Sequence, residues 1–294
     1  MKKMEVLEKK IRFYIEKLLK TYQGEISVYA KNFASGKEFK FNYEKKMYIA
    51  SIIKLPIAIT LYKKASEQKV DLDKEYSLAS FHIRDLGPRD TGIVRILPKT
   101  TKVTLRTLTS LMLSISDNAA TNIILEFVTP EEVNSFMRAL GFKNTTLNYP
   151  RLDDFIDFEA NFDIGSSTTQ ELSNLLYLLI ISKILPENYS QEITNYLSGM
   201  NVSNRILRYL PTAKNYWDKK VSIKKYFWKG GTWPRLKVCA DLVGLISNKD
   251  EIITLSIITH NLRDRDKYLR ETAIDHIAPK LMSRIGLMLY KLLY

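Results

Sequence analysis

The stretch Leu111–Glu126 reads LMLSISDNAATNIILE, an apolar run, the polar triplet Ser116-Asp117-Asn118, and a second apolar run. On both sides apolar residues recur at three- and four-residue steps, which predicts helices over Thr104–Ile115 and Ala119–Val128. On a locally extended loop between them, residues two apart point the same way. Ser116 and Asn118 are therefore expected to face a cleft, and Asp117 to turn into the protein. The same residue types also suit a plain capping turn.

Working outward, helical periodicity spans Ser51 to about Met200 and includes Pro130–Leu140 and Thr168–Lys183. Gly141 stands where a helix C-terminal glycine belongs, and Thr168 with Glu171 has capping-box spacing. Phe81–Lys102 and Thr145–Ser167 lack clear periodicity and read as long loops, a length usually reserved for function. Before this block, Leu7, Ile11, Tyr14, Ile15, Leu18 and Tyr22 share one side of a helix; such a helix can lie on a membrane surface, but packing on a sheet is the commoner outcome and is expected here. Glu25–Ala34 and Lys37–Tyr43 alternate with period two around Ser35-Gly36, a hairpin. After the block, Val238–Ile246 and Glu251–Thr259 flank Ser247-Asn248-Lys249-Asp250 as a second hairpin. A closing helix runs from about Asp266 to Leu293, with Pro279 expected to kink or split it. The order predicts a mixed sheet built from both chain ends with an all-helical insertion between them.

Two further elements carry chemistry. Ser51-Ile52-Ile53-Lys54 opens an apolar helix, and residues three apart on a helix share a face, so hydroxyl and amine come within reach. The helix start adds unpaired N–H groups and the positive end of the dipole, which favour an oxyanion and disfavour a protonated lysine. To act as a base at neutral pH, Lys54 must fall from ~10.4 to near 7, a change that burial between apolar walls can supply. Alone, the spacing equally describes a helix cap with a surface lysine. Lys229-Gly230-Gly231-Thr232 follows Tyr226-Phe227-Trp228 and precedes an expected strand. Its glycines let backbone N–H groups approach a bound group, although a simple turn fits as well. The aromatics Tyr226, Phe227, Trp228 and Trp233 line a cleft or cap the sheet.

Ser-x-x-Lys, Ser-Asp-Asn and Lys-Thr-Gly in this order are the joint signature of class A β-lactamases and penicillin-binding proteins. The chain carries the first two intact and a variant of the third. It therefore resembles the serine β-lactamase/penicillin-binding protein superfamily, nearest the class A β-lactamase-like serine hydrolases, over most of its length. The resemblance implies an α+β fold: an antiparallel sheet from both chain ends, flanked by N- and C-terminal helices, with an all-helical subdomain inserted. One catalytic domain over 1–294 is expected, its α/β part about 1–50 and 215–294 and its helical part about 51–214.

By the resemblance, Ser51 is the nucleophile, and Lys54 takes its proton directly or through a water. Ser116 relays a proton to the leaving nitrogen, and Asn118 holds the substrate's amide side chain. Lys229 attracts a carboxylate and lowers the proton affinity of Lys54. Gly231 and Thr232 bind substrate, and the N–H groups of Ser51 and Thr232 form the oxyanion hole. There are two departures. Gly230 replaces the hydroxyl residue expected between lysine and glycine, a loss that Thr232 can offset from two positions on. In the loop opening Arg151-Leu152-Asp153, the family's deacylation Glu and Asn slots fall at Asp153 and Asp157. Two acids sharing one water repel and make a poor base, unless both are solvated or paired with Arg151. Acylation with slow or absent β-lactam turnover is the expectation. Within a serine hydrolase acting on a carboxylate-bearing amide, lactam or ester, a β-lactamase, a D-Ala-D-Ala peptidase and an esterase stay open. The other reading is a catalytically idle member binding a small ligand or partner in the same cleft.

Composition bounds these readings. The 294 residues are 45% hydrophobic and 26% charged, enough for a sizeable core and incompatible with wholesale disorder. The longest aliphatic or aromatic run, Leu175–Ile181, is far short of the ~20 residues of a membrane helix. Met1–Lys20 alternates charge with apolar residues instead of forming a secretory segment, so a cytoplasmic location is expected. That argues against acting on peptidoglycan or external β-lactams. Lys+Arg number 45 against 32 Asp+Glu, a net +13, but the basic residues are scattered and no nucleic-acid motif accompanies them, so no nucleic-acid partner is expected. A single cysteine, Cys239, excludes an internal disulfide and reads as core. His82, His260 and His276 stand alone, in packing or surface roles, and no metal or cofactor is expected.

Overall fold

The computed structural model describes residues 2–84, 91–152, 164–198, 205–212, 222–233, 238–264 and 273–294. The elements begin with α1 (Lys2–Thr21), β1 (Tyr22–Asn32), β2 (Glu38–Phe41), β3 (Met47–Tyr48), α2 (Lys54–Ser66) and β4 (Glu75–Ser77). There follow β5 (Lys102–Thr104), α3 (Leu105–Ser114), α4 (Asn118–Ile124), α5 (Pro130–Ala139), β6 (Thr146–Leu147) and β7 (Gly165–Ser167). The chain continues through α6 (Thr169–Ile180), α7 (Glu187–Ser198), β8 (Ile223–Trp233), β9 (Val238–Ser247), β10 (Ile252–Asp264) and α8 (Ala273–Leu293). These fall into two compact units, one of Met1–Ala50, Ser167–Tyr177 and Asn201–Tyr294, the other of Ser51–Ser166 and Leu178–Met200.

The first unit is a five-stranded sheet in the order β2-β1-β10-β9-β8. Every neighbouring pair in it is antiparallel, which corrects the mixed sheet expected from element order. The first and last thirds of the chain meet along β1 and β10, with Val28 opposite Ile257. One face carries α1 and α8. Ile11 and Ile15 pack there with Ile26, Val28, Val243, Ile257, Met282 and Ile285, as the apolar stripe of the first helix predicts. Burying each such side chain contributes about 1.5–3 kcal/mol. The other face is polar where it meets α6: the Ser27 and Thr169 hydroxyls are 2.8 Å apart, and Thr254 Oγ1 donates to Ser173 Oγ at 3.0 Å. Both hairpins form where expected, and Asp250 adopts a positive φ of 61° in the second. Cys239 is buried, with its sulfur 3.8 Å from Met282 Sδ. Pro279 lies inside α8, which is not split there. The residues before Ala273, where that helix was expected to begin, lie outside the described set.

The second unit gathers α2 to α5 and α7. Helix α2 is apolar nearly all round and correspondingly buried, from Leu55 to Tyr62 without a break. Thr129 and Glu132 close a full capping box on α5, with Pro130 in its first turn. Glu192 on α7 accepts from Tyr62 on α2 at 2.7 Å and also from Tyr196 and Arg106, tying α2 and α3 to α7. The two expected loops are less irregular than the sequence implied. Phe81–Lys102 contains a 3-10 turn at Val94–Ile96, and Thr146 and Leu147 pair with Ser166 and Gly165. Among the described residues no helix is long and apolar enough to cross a membrane.

Candidate active site

Ser51 lies in a 3-10 turn, Ala50–Ile53, and α2 begins only at Lys54. This corrects the reading in which the serine opens the helix itself. The turn is entered through a left-handed Ala50, φ 47°, a conformation costing about 1–3 kcal/mol outside glycine. Ser51 is half-buried and Lys54 is fully buried at 0% exposure.

The triplet supplies what surrounds that lysine. Lys54 Nζ donates to the Ser116 carbonyl at 2.6 Å and to Asn118 Oδ1 at 2.7 Å, and meets Ser116 Oγ at 3.1 Å. Two of the three contacts are acceptors that can only receive a hydrogen. The third is a hydroxyl that can either receive or give one. A neutral amine satisfies this arrangement with two N–H groups and a lone pair facing Ser116, and an ammonium satisfies it with three N–H groups. The cage therefore accommodates both protonation states, which a proton carrier requires.

The loop holds this geometry through Asp117, which points inward as expected and is fully buried. Its carboxylate accepts from the backbone N–H groups of Ile93 at 2.6 Å, Val94 at 2.9 Å and Ala120 at 2.9 Å. It thus caps α4 and pins the 91–94 segment onto the triplet. Thr91 completes the clasp by donating from Oγ1 to the Ser116 carbonyl at 2.6 Å and accepting Asn118 N–H at 3.0 Å. Gly92 has φ 103°, and a Cβ there would stand 2.1 Å from the Asp117 carboxyl carbon, so only glycine fits. Ser116 itself has φ 60°. Sequence reading missed Thr91 and Gly92, because a lone threonine and glycine in an aperiodic stretch give no signal of what they touch.

In the other unit, Lys229, Gly230, Gly231 and Thr232 lie within β8, the edge strand of the sheet. This corrects the expectation that they precede a strand or form a turn. Lys229 is 2% exposed and donates to the Gly230 carbonyl at 3.0 Å. Burial, reinforced by the Arg205 guanidinium, brings its pKa down to about 7 against the opposing pull of Asp241. Arg205, a third residue the sequence did not signal, bonds the Gly231 carbonyl at 3.2 Å, the Ala240 carbonyl at 3.0 Å, Asp241 Oδ1 at 3.1 Å and the Thr232 hydroxyl. Trp228 donates its indole N–H to Asp241 Oδ1 at 3.2 Å. These groups fill the space a side chain at position 230 would need: a Cβ on Gly230 would lie 2.5 Å from Trp228 Cζ2 and 3.0 Å from Arg205 Nη1. The departure from the Lys-Thr-Gly pattern is thus built into the packing. The aromatics before the glycines belong to the sheet: Phe227 is buried, and Tyr226 and Trp228 pack against the core.

Arg151 donates to the His82 carbonyl at 3.1 Å, and Leu152 N–H is received by Asn122 Oδ1 at 2.7 Å. Asp153 and Asp157 lie outside the described residues. His260 packs edge-on against Tyr48, ring centroids 5.5 Å apart, and burial lowers its pKa.

The fold as a whole is similar to those of solved beta-lactamases and of PBP-A. TLA-3 extended-spectrum beta-lactamase superposes with a TM-score of 0.79 at 17% identity, over 98% of both chains. The beta-lactamase of Sphaerobacter thermophilus DSM 20745 gives 0.77 at 19% identity, over 95% of this chain and 94% of that one. PBP-A gives 0.75 at 18% identity, over 97% and 94%. The architecture is that of the α+β transpeptidase-like class. The model of the Beta-lactamase enzyme family matches residues 10–293, and the chain belongs to that family, within the serine β-lactamase/penicillin-binding protein superfamily of serine hydrolases. In sequence it is similar to Beta-lactamase SME-1 of Serratia marcescens, 27% identical over 66% of this chain and 65% of that protein. It is also similar to the Imipenem-hydrolyzing beta-lactamase of Enterobacter cloacae, 27% identical over 72% of each. The chain thus spans about two thirds of the length of the SME-1 protein.

Proposed function

We propose that this chain is a serine hydrolase that forms an acyl ester on Ser51 from an amide, lactam or ester bearing a carboxylate. The observation that supports it most is the caged amine of Lys54, buried and held by Ser116 and Asn118. In the proposed step the Ser51 hydroxyl proton passes to Lys54 Nζ, directly or through one water, while Oγ bonds to the substrate carbonyl carbon. The carbonyl electrons move onto oxygen, which accepts hydrogen bonds from backbone N–H donors. As the carbon–nitrogen or carbon–oxygen bond breaks, Ser116 Oγ gives its proton to the leaving atom and recovers one from Lys54. By the family pattern Asn118 holds the substrate's amide side chain, while its Oδ1 accepts from the amine.

For Lys229, Gly231 and Thr232 the proposal rests on the family pattern, in which they take the substrate's carboxylate and supply an oxyanion donor. Lys229 with a pKa of about 7 is only partly charged in the empty protein, so an arriving carboxylate would draw a proton onto it. Arg205, bonded to the Thr232 hydroxyl, stays protonated at all working pH values, with Asp241 Oδ1 at 3.1 Å as its counter-charge. We further propose slow deacylation, supported by the acids at Asp153 and Asp157 in place of the family's Glu and Asn.

The test is intact mass after incubation with a penicillin, for the parent and for Ser51→Ala. A long-lived adduct on the parent alone supports both parts of the proposal. Fast turnover of a chromogenic cephalosporin, abolished by S51A, would keep the nucleophile and overturn slow deacylation. No adduct with lactams or activated esters would favour the idle, ligand-binding reading.

A further inference from the structure

Helix α1 buries one side on the sheet and leaves the opposite side with a composition that packing does not explain. Phe13 is 67% exposed and Val6 50% exposed, two of the more exposed large apolar side chains among the described residues. They stand seven residues apart, two turns, and so lie one above the other on the same outward stripe. Side chains three and four positions away are a helical residue's surface neighbours. For Phe13 these are Lys9, Lys10, Glu16 and Lys17, all exposed. For Val6, toward the C-terminus, they are Lys9 and Lys10 again, and Lys20 continues the stripe two turns beyond Phe13. None of these four lysines takes part in an ion pair among the described residues. Of the helix's other acids, Glu8 is bonded to Arg12 at 3.0 Å, and Glu5 lies in the first turn, four positions before Lys9.

A stripe of two apolar side chains inside a border of four lysines and one acid, Glu16, fits a surface that is anionic at its face and apolar just beneath. We propose that the outward face of α1 docks the protein on anionic lipid headgroups, with Phe13 and Val6 entering the acyl boundary and Lys9, Lys10, Lys17 and Lys20 meeting phosphates. A nucleic-acid backbone would engage the lysines but leave Val6 without a partner. The helix lies along the membrane plane in this mode. The proposal is independent of the hydrolase reading.

The experiment is co-sedimentation of the intact chain with vesicles of phosphatidylcholine alone and with about one-third phosphatidylserine, at low and at physiological salt. The parent is expected to bind the anionic vesicles at least about tenfold more tightly than the neutral ones. Lys10→Glu with Lys17→Glu should lower that partition about tenfold or more, with the effect shrinking as salt rises. Phe13→Ala should lower it several-fold at both salt concentrations. All the altered side chains are exposed, and an unchanged thermal melt and circular dichroism spectrum would show each variant folded. Equal binding to both vesicle types, variants that bind as the parent does, or salt-sensitive retention of DNA with no vesicle binding would each overturn the proposal.

Discussion

Replacing Asp117 by asparagine tests whether the triplet's geometry depends on a buried carboxylate. In the parent, Oδ2 receives two backbone N–H groups, from Ile93 and Val94, and Oδ1 receives one from Ala120. An asparagine has one oxygen and one NH2. In its better orientation the oxygen faces Ile93 and Val94, and the NH2 confronts the Ala120 N–H, leaving that donor unpaired at about 1–3 kcal/mol. The two remaining bonds lose their charge assistance, about 1 kcal/mol each. The sum is about 3–5 kcal/mol, a large fraction of the roughly 5–15 kcal/mol that holds a domain folded. Urea unfolding followed by circular dichroism should show a loss of that size, with a melting temperature roughly 10 °C lower. Because the same contacts pin Ser116 beneath Thr91, the penicillin acylation rate should fall too. A loss below about 1 kcal/mol with unchanged acylation would refute the claim that Asp117 positions the site.

Gly230→Thr restores the family's hydroxyl but places a Cβ 2.5 Å from Trp228 Cζ2. It should cost about 1–3 kcal/mol of stability in urea unfolding and give no gain in acylation. A stable, faster variant would show that the space is free. Lys229 gives up its proton near pH 7 in the folded chain, whereas an unfolded lysine keeps it to ~10.4. Between those values the unfolded state binds more protons, so stability rises with pH there and falls as pH drops through about 7. The parent should therefore gain about 2 kcal/mol relative to Lys229→Met between pH 7 and 9, read from paired urea titrations. Parallel pH profiles would contradict the buried, depressed amine. Glu192→Ala leaves the buried Tyr62 hydroxyl and the Arg106 guanidinium without their shared acceptor. About 2–4 kcal/mol should be lost while acylation per folded molecule is preserved, because this network does not touch Lys54.

What was legible in the sequence is what depends on local pattern. The helices on either side of Ser116-Asp117-Asn118, both hairpins, the buried stripe of α1 and the inward turn of Asp117 follow from spacing over a few residues. The serine and lysine of residues 51–54 were legible in the same way, although the serine's 3-10 turn was not, because moving the helix start from Ser51 to Lys54 leaves the apolar periodicity beyond it unchanged. The missed features are contacts between distant segments. Nothing near Arg205 indicates that it reaches across β8 to Asp241 on β9, and nothing near Gly92 indicates that Asp117 fills its missing side-chain space. The strand character of Lys229–Thr232 was hidden by two adjacent glycines, which read as a turn until pairing with Asp241 and Ala240 fixes them in the sheet.

The central claim, that Lys54 carries the Ser51 proton, is tested most directly by the pH dependence of the penicillin acylation rate for the parent and for Lys54→Met. The parent rate should rise with pH as the accepting amine loses its proton, and Lys54→Met should be slower by roughly 100-fold to 10,000-fold with that rise abolished. A Lys54→Met variant that acylates at the parent rate, or keeps the same pH profile, would contradict it.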